Sequence, residues 1–112
     1  MVEDEALIAM DIGMTLEDGG HEVVGTARSA PEAVELAAAH APDIVLMDLN
    51  LANGTRGEDA AREILDRHGI RSIFVSGSID EQRRSELRRL DPLGMLVKPV
   101  RPGLLLGAIR AA

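Results

Sequence analysis

The 112-residue chain has the length of one domain, and 46% hydrophobic residues with Phe74 as the single aromatic dictate a core of Ala, Val, Ile, Leu and Met. A formal charge of −7 argues against nucleic acid as a partner, because phosphate contacts require clustered Lys and Arg. The absence of cysteine excludes disulfides and thiolate metal sites. No apolar run approaches the ~20 residues of a membrane span, and Glu3, Asp4 and Glu5 stand where a secretory signal would be basic, so a cytoplasmic location and no membrane partner are expected.

Along the chain, short β-branched runs alternate with longer stretches of helical spacing, a βα pattern repeated five times. The first strand is a stub, Met1 and Val2. The first helix is expected over residues 6–17, with Ile8, Ile12 and Leu16 stacked at i, i+4 and i+8, and Gly19 and Gly20 end it. A second strand is expected over 22–26. The second helix follows Ser29-Ala30-Pro31, with Ser29 as N-cap and Pro31 in the first turn, and runs to His40. Ile44-Val45-Leu46-Met47 is apolar at every position, as in a strand buried on both faces of a parallel sheet. A third helix is expected over 57–68, a fourth strand over 72–75, a fourth helix over 79–90, a fifth strand over 95–97 and a short fifth helix after Pro102.

Five units of this length cannot close an eight-stranded barrel. The natural architecture is an α/β fold, a flavodoxin-like doubly wound five-stranded parallel sheet of order 2-1-3-4-5 with helices on both faces, forming a single domain over 1–112 with its first strand shortened. In such a sheet the ligand site lies at the carboxyl ends of the strands, near the reversal of winding.

Polar groups collect at those ends: Glu3 and Asp4 after strand one, Asp48 after strand three, Ser76 after strand four and Lys98 after strand five. Strand two ends in Gly25-Thr26 without a charge, as suits an outer strand. Three carboxylates brought together raise one another's pKa unless a cation offsets them. Mg²⁺ accepts a few carboxylate oxygens, retained waters and a phosphate oxygen. An Asp can attack phosphorus while a metal and a Lys neutralise the transferring oxygens. Lys98 is the sole lysine among twelve basic residues, and a compact ammonium can point at a single oxygen as a guanidinium fork does not.

The runs Val2-Glu3-Asp4-Glu5, Val45-Leu46-Met47-Asp48-Leu49-Asn50, Phe74-Val75-Ser76-Gly77 and Gly94-Met95-Leu96-Val97-Lys98-Pro99 resemble the motifs of the response-regulator receiver domain of bacterial two-component systems, over almost the whole chain. The resemblance implies that Asp48 is the phosphoacceptor, that Glu3, Asp4, Asp48 and the backbone carbonyl of Asn50 hold Mg²⁺, and that Ser76 and Lys98 contact the phosphoryl oxygens. It also implies a cis bond between Lys98 and Pro99. A histidine kinase or histidine phosphotransfer protein would be the donor, and a downstream protein target would read a surface of helix four, strand five and helix five. The chain would catalyse only its own phosphorylation and slow dephosphorylation, and is not otherwise expected to be an enzyme.

Three departures from the family stand out. Met95 replaces the usual aromatic residue, so the Ser76-to-Met95 switch is expected to be looser. The loop Leu51-Ala52-Asn53-Gly54-Thr55-Arg56-Gly57 replaces the common Met-Pro and Asp-Gly pattern and is expected to be mobile and to carry partner contacts. The stub before Glu3 implies either a trimmed start or reduced stability. Two alternatives stay open: a pseudo-receiver that binds proteins without phosphorylation, and a Mg²⁺-dependent aspartyl phosphatase, against which Asn50 speaks because it cannot supply a proton.

The remaining features have plainer readings. His40 and His68 sit at helix ends and His21 in a turn, with no metal-ligand spacing between them. Arg83, Arg84, Arg88 and Arg89 on helix four read as a solvated face, or as a docking surface, anchored by Ile79, Leu87 and Leu90. Leu104, Leu105 and Leu106 span about 200° of helix and cannot all face one core, so at least one is available to a partner or a second copy in a homodimer.

Overall fold

The computed structural model describes residues 1–51 and 55–112. The described chain runs α1 (Ala6–Asp18), α2 (Ala30–His40), β1 (Val45–Asp48), α3 (Gly57–His68), β2 (Ser72–Ser76), α4 (Glu81–Arg88), β3 (Gly94–Val97) and α5 (Pro102–Arg110). The Gly-rich loop singled out above lies partly outside the described residues.

The helices start and stop where local chemistry satisfies their free backbone groups. The Ser29 hydroxyl accepts the Glu32 N–H at 3.3 Å and caps α2, with Pro31 in its first turn. Helix α3 ends at Gly69, whose φ of +67° is a left-handed conformation that costs glycine little. Helix α4 is shorter than its periodicity suggests: the Asp80 carboxylate accepts the Arg83 N–H at 2.8 Å and fixes the start at Glu81.

The three strands form a parallel sheet of order β1-β2-β3, with Val45 beside Ser72 and Ile73 beside Gly94. Strands β1 and β2 are buried at every residue, whereas β3 is half-buried to exposed, as befits an edge. The expected first two strands do not form as strands. Val2 makes single parallel bridges to Ala27 and to Met47, and 22–26 carries no strand. The segment meets the first strand only at its far end, where Met1 and Glu3 bond Gly25 and Ala27, so no second consecutive bridge completes a ladder. A cavity of about 280 Å³ lies beside this stub, lined among others by Met1, Val23, Leu36, Ile44 and Ile109.

Alternation along the strands splits the core into two layers. Val45, Met47 and Phe74 pack with Ala33 and Ala37 of α2, Ala60, Ala61 and Ile64 of α3, and Leu87 of α4. Leu46 and Ile73 pack on the other face with Leu16 of α1 and Leu105 of α5. Helices therefore cover both faces, and all strand ends that carry polar groups point to one rim. Leu104 is 62% exposed, Leu105 is buried, and Leu106 lies over Gly19, so the three leucines divide as their arc requires. Among the described residues no helix is long and apolar enough to cross a membrane.

Candidate functional site

Strand β1 delivers Asp48 to the rim, and the bridge of Val2 to Met47 delivers Glu3 beside it. Ligand oxygens of Glu3, Asp4 and Asp48 lie within 4.8 Å of one another. Lys98, just past β3, reaches across with its Nζ 2.8 Å from Asp48 Oδ2 and 3.3 Å from Glu3 Oε1. Its backbone N–H also donates to the Ser76 carbonyl at 2.7 Å, and the Lys98–Pro99 peptide is cis.

Asp48 and Glu3 are both buried, at 4% and 2% exposure, and Glu3 Oε2 has no hydrogen-bond partner. A buried, unpartnered carboxylate oxygen is costly in water-free surroundings. Burial, then hydrogen bonding with and charge repulsion from Asp48, push the Glu3 carboxyl up to about 8, against the pull of Lys98. Burial acts on Asp48 in the same direction, but the adjoining Glu3 carboxyl, the Lys98 ammonium and the Asn50 N–H outweigh it, and its pKa falls below the ordinary value. Burial works against the Lys98 ammonium, yet its contact with Asp48 and Glu3 raises its pKa. The cluster thus favours the proton on Glu3 and the charge on Asp48, beside the Lys98 ammonium.

Ser76 is buried and makes no direct bond to Asp48 or Lys98 through its hydroxyl. Its Oγ donates to the Ser78 carbonyl at 2.9 Å and accepts from Asn50 Nδ2 at 3.3 Å. Asn50 also closes a turn, its N–H donating to Asp48 Oδ1 at 2.8 Å. Met95 is half-buried against the core, with Arg84 Nη1 3.7 Å from its Sδ.

Two contacts escaped the sequence reading. The Asn50 side chain, singled out there only for its carbonyl, links the peptide after β1 to Ser76. Arg83, read as part of a solvated face, instead turns inward: its guanidinium meets Glu58 Oε2 at 3.0 Å and the Leu49 carbonyl at 3.1 Å. Its position in the first turn of a polar helix was the available signal, since that end of α4 adjoins the rim.

What this arrangement can do follows from its charges. Three carboxylates with one ammonium leave a net negative pocket whose oxygen donors suit a hard divalent cation, and an ionised, buried Asp48 oxygen is available as a nucleophile.

A family model described as the response regulator receiver domain matches residues 1–110. The phyllosphere-induced regulator PhyR of Methylorubrum extorquens is 34% identical over 113 residues, covering all of this chain and 42% of that protein. The transcriptional regulatory protein PdtaR of Mycobacterium tuberculosis is 37% identical over 112 residues, covering all of this chain and 54% of that protein. The chain thus spans about half the length of these curated relatives. Among solved structures, the signal receiver domain of a modulated diguanylate cyclase from Desulfovibrio desulfuricans superposes with a TM-score of 0.90 at 32% identity, over 99% of this chain and 88% of that one. With the acidic rim, the facing lysine and these matches in place, the chain belongs to the response regulator receiver domains of two-component systems.

Proposed function

We propose that this chain is one receiver domain over 1–112 that accepts a phosphoryl group on Asp48 and changes what it binds in consequence. The observation that carries the reading is the buried Asp48 carboxylate, held ionised 2.8 Å from Lys98 at the open rim of the sheet. The donor would be a phosphohistidine of a kinase or phosphotransfer protein. In that step Asp48 forms an O–P bond, the N–P bond of the donor breaks, and the electron pair returns to the imidazole. Lys98 would hold the charge on a phosphoryl oxygen, and Ser76 would release Ser78 to donate to another.

The donor set fits Mg²⁺. Glu3, Asp4 and Asp48 supply hard oxygens, Glu3 Oε2 is already unpartnered, and the backbone carbonyl of Asn50, two residues after Asp48, would complete the protein ligands. When bound, the ion would neutralise the charge that three carboxylates and a phosphoryl group bring together. The reading takes the bridges of Val2 to Ala27 and Met47 as remnants of a five-strand order 2-1-3-4-5 and places the chain in the cytoplasm. The surface of α4, β3 and α5 would be read by a downstream protein.

Incubation with Mg²⁺ and acetyl phosphate tests this by intact mass. One phosphoryl adduct in the wild type and none in Asp48→Asn is the expected result. No adduct on folded, Mg²⁺-bound wild type would instead favour a protein-binding module without phosphoryl transfer. The feature on the side of that second reading is Met95, which stands where the family usually has an aromatic ring.

A further inference from the structure

The peptide unit joining Leu49 to Asn50 is held at both of its polar ends. Its N–H donates to Asp48 Oδ1 at 2.8 Å, and its C=O accepts from Arg83 Nη2 at 3.1 Å. A peptide unit is planar and stiff, so these two groups cannot reorient independently. The preceding N–H, that of Leu49, is fixed to the Val75 carbonyl at 3.0 Å, which pins one side of the unit to β2. A change in what Asp48 Oδ1 offers therefore acts on the plane as a whole, and rotation of the plane withdraws the carbonyl from the guanidinium.

Arg83 belongs to an element that responds to such a loss. Within α4 only Leu87 is buried, so packing holds this helix weakly. Polar tethers make up the difference. Arg83 binds Glu58 Oε2 of α3 through Nε at 3.1 Å and Nη2 at 3.0 Å as well as the Leu49 carbonyl, and the next residue, Arg84, reaches Met95 Sδ. The guanidinium fork is suited to this task because separate N–H groups engage separate acceptors in one fixed plane.

We propose that Arg83 is a positioning residue that couples the Asp48 carboxylate to the seating of α4 through the single peptide plane between Leu49 and Asn50. The coupling stands on hydrogen-bond geometry and not on phosphoryl transfer, so it is decided whether or not an adduct forms on Asp48.

The test is a double-mutant cycle read by amide hydrogen exchange along α4, with α3 amides as internal reference for intact folding. Asp48→Ala removes the acceptor of the Asn50 N–H and should raise α4 exchange about three- to tenfold in the wild-type background. In Arg83→Gln the same change should move α4 exchange by less than about twofold. Arg83→Gln alone will also loosen α4, but the cycle cancels that baseline, so a merely structural role leaves the Asp48 response intact. Glu58→Gln keeps the bond to the Leu49 carbonyl and should retain the response. An equal Asp48 response with and without Arg83, no response in the wild type, or a response lost equally in Glu58→Gln would each overturn the proposal.

Discussion

Glu3 is the residue at which burial and function pull apart. The folded chain keeps a proton on Glu3 up to about pH 8, whereas the unfolded chain releases it near the ordinary value of 4.5. Between those values the folded state binds more protons, so stability falls as pH rises. Asp48 is shifted downward and Lys98 upward, and both titrate outside this window. Thermal melts of the metal-free protein should therefore show a loss on the order of 2 kcal/mol or more from pH 5 to pH 8.5, and Glu3→Gln should flatten the profile. Mg²⁺ at a hundred times its Kd should restore about 2.7 kcal/mol at pH 8 and less at pH 5, where its ligand is protonated. Removing the cation from the cluster, as in Lys98→Met, leaves the buried, ionised Asp48 without its ion pair, and urea unfolding at pH 7 should show a loss of about 3 kcal/mol.

At the scale of elements, the start of α3 is fitted to the site. A Cβ at Gly57 would stand 2.5 Å from the Asp48 carbonyl oxygen and 3.1 Å from Met47 Cγ. The first is backbone and cannot give way, so Gly57→Ala should cost about 2 kcal/mol and shift the Asp48 and Asn50 resonances in an amide spectrum. The cap of α2 is a separate and smaller contribution. Ser29→Ala removes only the acceptor of the Glu32 N–H, and chemical denaturation should register about 1 kcal/mol without a change in Mg²⁺ binding. The start of α2 was legible because Ser29 and Pro31 act locally. The boundaries of α4 were not, because Ile79 and Leu90 continue the apolar spacing past the Asp80 cap and the helix end.

The molecule as a whole depends on a two-layer core with one ring in it. Phe74 is fully buried between α2, α3 and α4, and the other fully buried side chains include Met47, Ile64 and Ile73. No second aromatic exists to refill its volume, so Phe74→Ala should cost about 4 kcal/mol by denaturant unfolding. The radius of gyration of 12.6 Å is close to the ~13 Å that a packed chain of this length adopts, although two of five expected strands are single bridges. Doubly buried β1 was legible from its unbroken apolar run. The missing second strand was not, since a strand needs a neighbour as well as a sequence, and within 22–26 only the Gly25 carbonyl is bonded to the first strand, by the Met1 amino group.

The sequence alone determined the five helices, the three strands that form, the cap of α2, and which residues stand at the strand ends, because periodicity, turn chemistry and strand alternation are local properties of the chain. It marked Glu3, Asp4, Asp48, Ser76 and Lys98 by position and chemical type. Only the tertiary structure decided that Lys98 bonds both Asp48 and Glu3 while Ser76 is occupied by Ser78 and Asn50, and that Arg83 faces inward to Glu58 and Leu49. Those pairings join residues 25 to 95 positions apart, apart from the local Ser76–Ser78 bond. Such distances carry no local signal, and the partners are chosen by burial and by the competition of each polar group for the few acceptors within reach.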